Sequence, residues 1–304
     1  MIKLTVAILT RNDERNLPEL LQSIKSQSSK DFSLTILDNG STDATSRIIA
    51  DFDFPNISLL KLSNAVDTSE ANGMKILFEK SPGRYISIVH GDDLLKPDYV
   101  QSVLKFISKN TDFDAITLPI EHFTQTNELV GDKSKLISKS NLTKFRFLNR
   151  LLVCGINPGV MPGTVFNRET LISNKLLEPI PGFAFNFDIV LWTRFARCHL
   201  KLLRSDYCQY LYRRHNLQSS AGKNNDINLA IARNRNFELA PTLFERFLVQ
   251  SSTFKESTFA HDSEIYLAHL KYSYQKMTKP MFILGNSINF LLRQSAKVIN
   301  WLFD

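Results

Sequence analysis

The chain has 304 residues, enough for one or two domains with a sizeable buried core. Its 11 glycines and 11 prolines exclude collagen-like and Pro/Gly-rich low-complexity proteins. Lysine and arginine number 37 and aspartate and glutamate 30, so the formal net charge is +7. That excess suits an anionic partner, such as nucleic acid, an anionic lipid surface or a phosphorylated substrate, without choosing among them.

Cysteine content and hydropathy both predict a cytoplasmic protein. Cys154, Cys198 and Cys208 form no C-x-x-C pair, which disfavours a disulfide framework and a cysteine-rich zinc site. The apolar run at 4–9 is too short for the core of a signal peptide, and no apolar stretch is long enough for a transmembrane helix.

Strand and helix patterns alternate along residues 1–120. Short apolar runs predict four strands, at 4–9, 32–37, 57–62 and 85–89. Helical periodicity predicts four helices, at 17–24, around Ile48, at 74–78 and at 97–107. A further strand is predicted within 160–166. The alternation is typical of βαβ units, so we expect an α/β domain with a mostly parallel central sheet flanked by helices.

Polar turns follow three of the predicted strands, at 10–13, 38–41 and 90–93. Ligands of parallel sheets bind beyond the carboxyl ends of the strands, so the three turns are expected to meet at one crevice. In the third turn, Asp92 and Asp93 are adjacent carboxylates that repel each other, and a divalent cation is the simplest compensation. Their oxygen ligands suit Mn²⁺ or Mg²⁺. The alternative is that the pair only ends the strand and caps the next helix.

Two later segments carry further candidate groups. Asp188 opens an apolar helical stretch, where it is either a functional carboxylate or an acid favoured by the helix dipole. Arg213, Arg214 and His215 follow aromatic residues and either bind a diphosphate or form a solvated basic turn. The chain lacks the Walker A, dinucleotide-binding, zinc-protease and nucleophile-elbow motifs.

Taken in order, these motifs resemble those of the family-two inverting glycosyltransferases, which have a GT-A fold. Residues 5–12 are similar to the family's first strand and nucleotide loop, and residues 37–43 to its second-strand signature. Gly91–Asp93 takes the place of the DXD motif, Asp188 that of the catalytic base, and Tyr212–His215 that of a late active-site loop. The resemblance covers residues 1–220.

The resemblance implies a role for each motif residue. Asp188 is expected to be the catalytic base, and Asp93 the ligand of Mn²⁺ or Mg²⁺. The expected nucleotide-sugar contacts are Thr10, Arg11, Asn12, Asp38, Asn39, Asp92, Arg213, Arg214 and His215.

Three positions depart from the family pattern. Asn39 stands where many members have a second acid, so the base of the donor need not be uracil. His90 stands where many members have an acid, which places metal ligation mainly on Asp93 and leaves Asp92 nearer the ribose or a metal-bound water. Ala71–Asn72 replaces an Arg-Asn pair and removes one phosphate contact.

The sequence therefore predicts a GT-A-like catalytic domain at 1–225 and a C-terminal helical region at 226–304. Residues 281–304 form an amphipathic helix that either packs on the catalytic domain or lies on the inner face of the membrane. We expect inverting, metal-assisted transfer from a UDP- or dTDP-sugar to a glycan or lipid-linked acceptor, as in bacterial surface polysaccharide synthesis. The alternatives are a nucleotide-sugar-binding protein without catalysis and, less favoured, a nucleic-acid-binding protein.

Overall fold

The computed structural model describes residues 3–62, 69–124, 129–130, 161–179, 187–205 and 210–214. The first half of the chain alternates strands and helices as predicted: β1 (Leu4–Thr10), α1 (Leu17–Lys25), β2 (Ser33–Asp38), α2 (Thr45–Ala50), β3 (Ile57–Lys61), α3 (Glu70–Lys80), β4 (Tyr85–His90), β5 (Leu94–Leu95) and α4 (Tyr99–Lys109). The later elements are β6 (Ala115–Thr117), β7 (Ile120–Thr124), β8 (Leu129–Val130), β9 (Val165–Asn167), α5 (Arg168–Ser173), α6 (Phe187–Arg197), β10 (Leu202–Arg204) and β11 (Tyr210–Arg214).

A seven-stranded sheet in the order β10-β6-β9-β4-β1-β2-β3 forms the centre of the domain. Its strands are parallel except β9, which pairs antiparallel with both β4 and β6. The prediction of an α/β domain with a mostly parallel sheet is thus confirmed. The strand expected within 160–166 is present as β9, and it is the antiparallel one.

Burial explains why these segments fold as they do. Every residue of β2 is buried, as expected of a strand covered on both faces by helices. Helix α1 buries Leu17, Leu20, Leu21 and Ile24, whose spacing places them on one face.

A second, four-stranded sheet in the order β5-β11-β7-β8 was not predicted. Strand β11 pairs antiparallel with β5 and parallel with β7. Since β5 begins directly after Asp93, this pairing brings Tyr210–Arg214 against the turn that ends β4.

The chain divides into two compact units. The first contains both sheets and all described residues except 187–199, which belong to the second unit and form α6 and the turn after it.

Residues 226–304, including the amphipathic segment 281–304, lie outside the described residues, as do Cys154 and Cys208. Cys198, the cysteine within the described residues, is exposed and forms no disulfide there. Within the described part of the chain, no helix has the length and hydropathy needed to span a membrane.

Two leucines in neighbouring strands test this packing. Leu34 in β2 is fully buried, whereas Leu59 in β3 is 46% exposed. We expect Leu34→Ala to lower the free energy of unfolding by about 2–5 kcal/mol, because it removes buried methyl groups and leaves a cavity. Leu59→Ala is the matched control and should change it by no more than about 0.5 kcal/mol. Urea unfolding of both variants measures this, and equal losses would contradict the packing.

Candidate active site

The carboxyl ends of β1, β2 and β4 lie side by side at one edge of the central sheet. Thr10 is in register with Asp38, and Leu9 with His90. The Asn39 amide also donates to the Thr10 carbonyl at 2.9 Å. The polar turns after these strands therefore begin next to one another, as the parallel pattern predicts.

The turns after β1 and β2 are joined by reciprocal hydrogen bonds. The Asn12 amide donates to Ser41 Oγ at 3.0 Å, and the Thr42 amide donates to Asn12 Oδ1 at 2.8 Å. One turn further on, the Ala44 amide donates to Glu14 Oε2 at 2.9 Å. Asn12 adopts a φ of 57°, a left-handed conformation that asparagine tolerates better than most residues. The side-chain oxygen of Asn12, a predicted nucleotide contact, thus holds the neighbouring turn.

Two other predicted nucleotide contacts also bond within the protein. The Thr10 hydroxyl donates to Asp13 Oδ2 at 2.7 Å. The buried Asp38 carboxylate accepts from the Ser41 amide at 2.9 Å and from the Ser46 hydroxyl. These two residues are therefore bonded within the protein, whereas Arg11 is exposed.

Asp13 received no role from the sequence, although it lies against the turn that carries the acid pair. A Cβ added to Gly91 would lie 2.5 Å from Thr10 Oγ1 and closer still to Asp13 Oδ2, so a larger residue there would displace these two side chains. Burial raises the pKa of Asp13, and the nearby charge of Asp92 raises it further.

Residues 90–93, here called the acid turn, are held in place through Asp93. Its carboxylate is fully buried, and it accepts from the Tyr210 hydroxyl at 2.6 Å and from the Arg213 amide at 2.9 Å. Burial raises the pKa of Asp93 well above its usual value, and Asp92 adds to the rise. The hydrogen bonds from Tyr210 and Arg213 oppose it, because they favour the ionised form.

Arg213 has partners other than the diphosphate expected from the sequence. Its side chain is 4% exposed, with Nε donating to the Asp92 carbonyl at 2.7 Å and Nη2 to Glu19 Oε2 at 2.6 Å. The guanidinium carbon lies 4.4 Å from the centre of the Phe123 ring. Arg213 therefore fastens the acid turn to α1 from inside the protein.

Arg214, the next residue, is exposed. Its Nε donates to His122 Nδ1 at 3.1 Å, and its guanidinium carbon lies 5.2 Å from the centre of the Tyr212 ring. Arg214 is thus accessible from solvent, and its contact with a diphosphate stays a prediction. His215 lies outside the described residues.

The acid turn offers a donor set for a divalent cation. Ligand atoms of His90, Asp92 and Asp93 lie within 4.8 Å of one another. Burial lowers the pKa of His90, which keeps its imidazole in the neutral form that a metal requires. The residues present therefore fit a cation, and Asp92, which is half-buried, is the carboxylate nearer to solvent.

Asp188 lies in the first turn of α6, in the second unit. Its side chain is half-buried, whereas Phe187, Val190 and Leu191 nearby are fully buried. The helix therefore begins where its apolar pattern predicts. The role of Asp188 as a base stays a prediction.

The Tyr210 hydroxyl provides a test of how the acid turn is held. Tyr210→Phe removes one of the two protein donors to Asp93, so we expect a loss of about 1–3 kcal/mol in the free energy of unfolding. We also expect the rise in melting temperature caused by Mn²⁺ to shrink. Thermal melts with and without Mn²⁺ measure both effects.

Tyr99→Phe is the matched control. The Tyr99 hydroxyl is also buried and hydrogen-bonded, but its partner is Ser87, and its ring packs edge-on against Tyr210. It should lower stability without changing the response to Mn²⁺. An unchanged response to Mn²⁺ in Tyr210→Phe would show that the hydroxyl does not support the cation site.

Comparison with known proteins connects this site to one family. The profile of glycosyl transferase family 2 matches residues 5–173, more than half of the chain. An uncharacterized glycosyltransferase of Haemophilus influenzae is 23% identical over 232 residues, which cover 74% of this chain and 69% of that protein. The teichoic acid poly(glycerol phosphate) polymerase of Staphylococcus epidermidis is 27% identical over 165 residues, covering 51% of this chain and 22% of the polymerase.

A solved structure supports the same assignment at the level of the fold. Residues 1–349 of TarS from S. aureus, crystallised in complex with UDP-GlcNAc, superpose with a TM-score of 0.61 at 15% identity. The match covers 96% of this chain and 92% of that one, which confirms the GT-A fold. With the fold and the profile in agreement, the chain belongs to glycosyl transferase family 2.

Proposed function

We propose that the protein transfers a sugar from a nucleoside diphosphate donor, a UDP- or dTDP-sugar, to a hydroxyl acceptor with inversion. The observation that carries the proposal is the acid turn of a family 2 glycosyltransferase, in which His90, Asp92 and Asp93 offer ligand atoms within 4.8 Å of one another at the carboxyl end of β4. TarS, which shares the fold, has been crystallised with UDP-GlcNAc and with UDP.

The metal ligand in this proposal is Asp92 rather than Asp93. Both oxygens of Asp93 already accept hydrogen bonds from the protein, and the residue is fully buried. Asp92 is half-buried, and its backbone is fixed by Arg213. Asp93 therefore positions the turn, and Asp92 holds Mn²⁺ or Mg²⁺. When bound, such a cation neutralises the charge that develops on a departing diphosphate.

The donor pocket in this proposal is formed by the turns after β1 and β2. Asn39 is buried, and its side-chain amide can both donate a hydrogen bond to a nucleobase and accept one from it. Thr10, Asn12 and Asp38 shape the pocket through the hydrogen bonds that join the turns. Arg11 and Arg214, both exposed, supply positive charge for the two phosphates.

The proposed reaction is a single displacement at the anomeric carbon. Asp188 takes the proton from the acceptor hydroxyl as its oxygen attacks, and the bond to the diphosphate breaks on the opposite face. The nucleoside diphosphate leaves with the bonding electrons, and His215 and Arg214 are proposed to stabilise its charge. Inversion follows because one displacement needs no covalent intermediate on the protein.

The acceptor in this proposal is a glycan or a lipid-linked saccharide. The polymerase of Staphylococcus epidermidis, named for teichoic acid, supports a role in bacterial surface polysaccharide synthesis. Residues 281–304 are proposed either to contact the inner face of the membrane or to pack on the catalytic domain, and the protein is proposed to be cytoplasmic or peripheral there. These two arrangements differ in whether the full chain binds anionic vesicles at low salt.

The proposed function is tested by thermal melts with UDP, dTDP and GDP, each with and without Mn²⁺. A ligand at 100 times its dissociation constant stabilises the fold by about 2.7 kcal/mol, which a melt detects. We expect UDP or dTDP to stabilise the protein in the presence of Mn²⁺, and the matching nucleotide sugar to be turned over with an acceptor. No response to any nucleoside diphosphate would contradict the proposal.

Asp188→Asn tests the proposed base. We expect turnover to fall at least about 100-fold, the lower end for loss of a general base, while UDP binding is retained. Asparagine keeps the size of the side chain and suits the start of a helix, so the fold should persist. Normal turnover would mean that the base lies elsewhere. Binding of the nucleotide sugar without turnover by the unsubstituted protein would indicate a binding protein.

Substitutions of the two neighbouring arginines distinguish a residue that supports the fold from one that contacts the substrate. Arg213→Gln should lower the free energy of unfolding by about 1.5–3 kcal/mol, since it removes charge-assisted bonds to Glu19 and Asp92. Arg214→Gln should change stability by no more than about 0.5 kcal/mol and weaken UDP binding about tenfold. Urea unfolding and calorimetry measure the two effects. If Arg213→Gln weakened UDP binding and Arg214→Gln lowered stability instead, Arg213 would be the substrate contact and Arg214 the structural residue.

A further inference from the structure

His90 places a nitrogen donor in a site otherwise made of carboxylates. The residue ends β4, and a ring nitrogen lies within 4.8 Å of ligand oxygens of both Asp92 and Asp93. Two ligands on opposite sides of a small divalent cation are about 4 Å apart, so a slight side-chain movement would bring the His90 nitrogen and an Asp92 oxygen to one ion.

The Nε2 atom of His90 is buried and has no hydrogen-bond partner among the described residues. Buried polar atoms are nearly always paired, so this atom calls for an explanation. The backbone groups around it are satisfied: the His90 amide donates to Tyr210 Oη at 3.3 Å, and the Asp93 amide donates to the His90 carbonyl at 3.3 Å. The imidazole thus lies beside the two carboxylates, and its Nε2 atom forms no hydrogen bond with either of them.

We propose that His90 is a direct metal ligand and makes the site select Mn²⁺ or a similar transition metal over Mg²⁺. The proposal rests on the proposed function, because the cation is the one that would serve the donor diphosphate. Mg²⁺ favours sets made only of oxygen, whereas an imidazole nitrogen adds affinity for first-row transition metals. A neutral imidazole in place of an acid also removes one negative charge from the site. This loss weakens the binding of a hard cation such as Mg²⁺ most, because its affinity depends on charged oxygen ligands.

The first experiment detects the nitrogen directly. Mn²⁺ is added to the full chain below one equivalent, and electron spin-echo spectra are recorded without nucleotide. We expect nitrogen modulation from a coordinated imidazole, lost in His90→Asn. His199→Asn is the matched control: His199 is exposed and has a φ of 55°, a conformation that asparagine accepts. Modulation that is absent in the unsubstituted protein, or that persists in His90→Asn, would overturn the proposal.

The second experiment measures selectivity. Dissociation constants for Mn²⁺ and Mg²⁺ are obtained by calorimetry for the unsubstituted protein and for His90→Asp, which restores a set made only of oxygen ligands. We expect the preference for Mn²⁺ over Mg²⁺ to fall at least about tenfold in His90→Asp, the lower limit for changes around a metal site. An unchanged ratio would overturn the proposal. His90→Asp also serves as the second variant if His90→Asn does not fold.

Failure of this inference is distinguishable from failure of the proposed function. If UDP binds and sugar is transferred while Mn²⁺ shows no nitrogen coupling, only the role of His90 is wrong. If nitrogen coupling is present but no nucleoside diphosphate binds, the metal ligand is correct and the proposed reaction is wrong.

Discussion

The acid turn depends on one buried carboxylate, that of Asp93. Transfer of a carboxylate from water to a protein interior is costly, and the charge of Asp92 next to it adds to the cost. The hydrogen bonds from the Tyr210 hydroxyl and the Arg213 amide offset part of that cost, and they act only when β11 lies against the turn. The position of His90 and Asp92 therefore depends on a strand from a different part of the chain.

The second sheet holds this strand, β11, against the acid turn. Strand β11 pairs with β5, which begins directly after the acid pair, and with β7 on its other side. From β11 the Arg213 side chain continues to Glu19 on α1. The Glu19 side chain is about half exposed, so the value of this ion pair lies in the direction it gives Arg213 more than in its electrostatic energy.

The central sheet was predictable because the sequence patterns that indicate its strands and helices lie within short segments. Apolar runs and helical spacing in β1 to α4 are properties of short segments, and the strands there begin and end close to the expected residues. The contacts that complete the site are not local. Tyr210 and Asp93 are separated by 117 positions, and Arg213 and Glu19 by 194. Periodicity contains no signal for such pairs, so the second sheet and the role of Tyr210 could not be predicted.

Charge alone was also a poor guide to function at two positions. Arg213 and Arg214 look equivalent in the sequence, but the alternation of side chains along β11 buries the first and exposes the second. For Asp13 the error is the reverse: the sequence assigns it no role, because nothing in its local pattern distinguishes it from a surface acid. Its partial burial against Gly91 follows from the pairing of β1 with β4.

The contact at Gly91 limits how the acid turn can change without rebuilding the domain. Position 91 has no room for a side chain beside Thr10 and Asp13, and position 93 is enclosed by its two donors. The side chains at positions 90 and 92 are only half-buried, so these two positions are less confined. New chemistry at this edge of the sheet therefore has two places to enter, and the histidine at 90 occupies one of them.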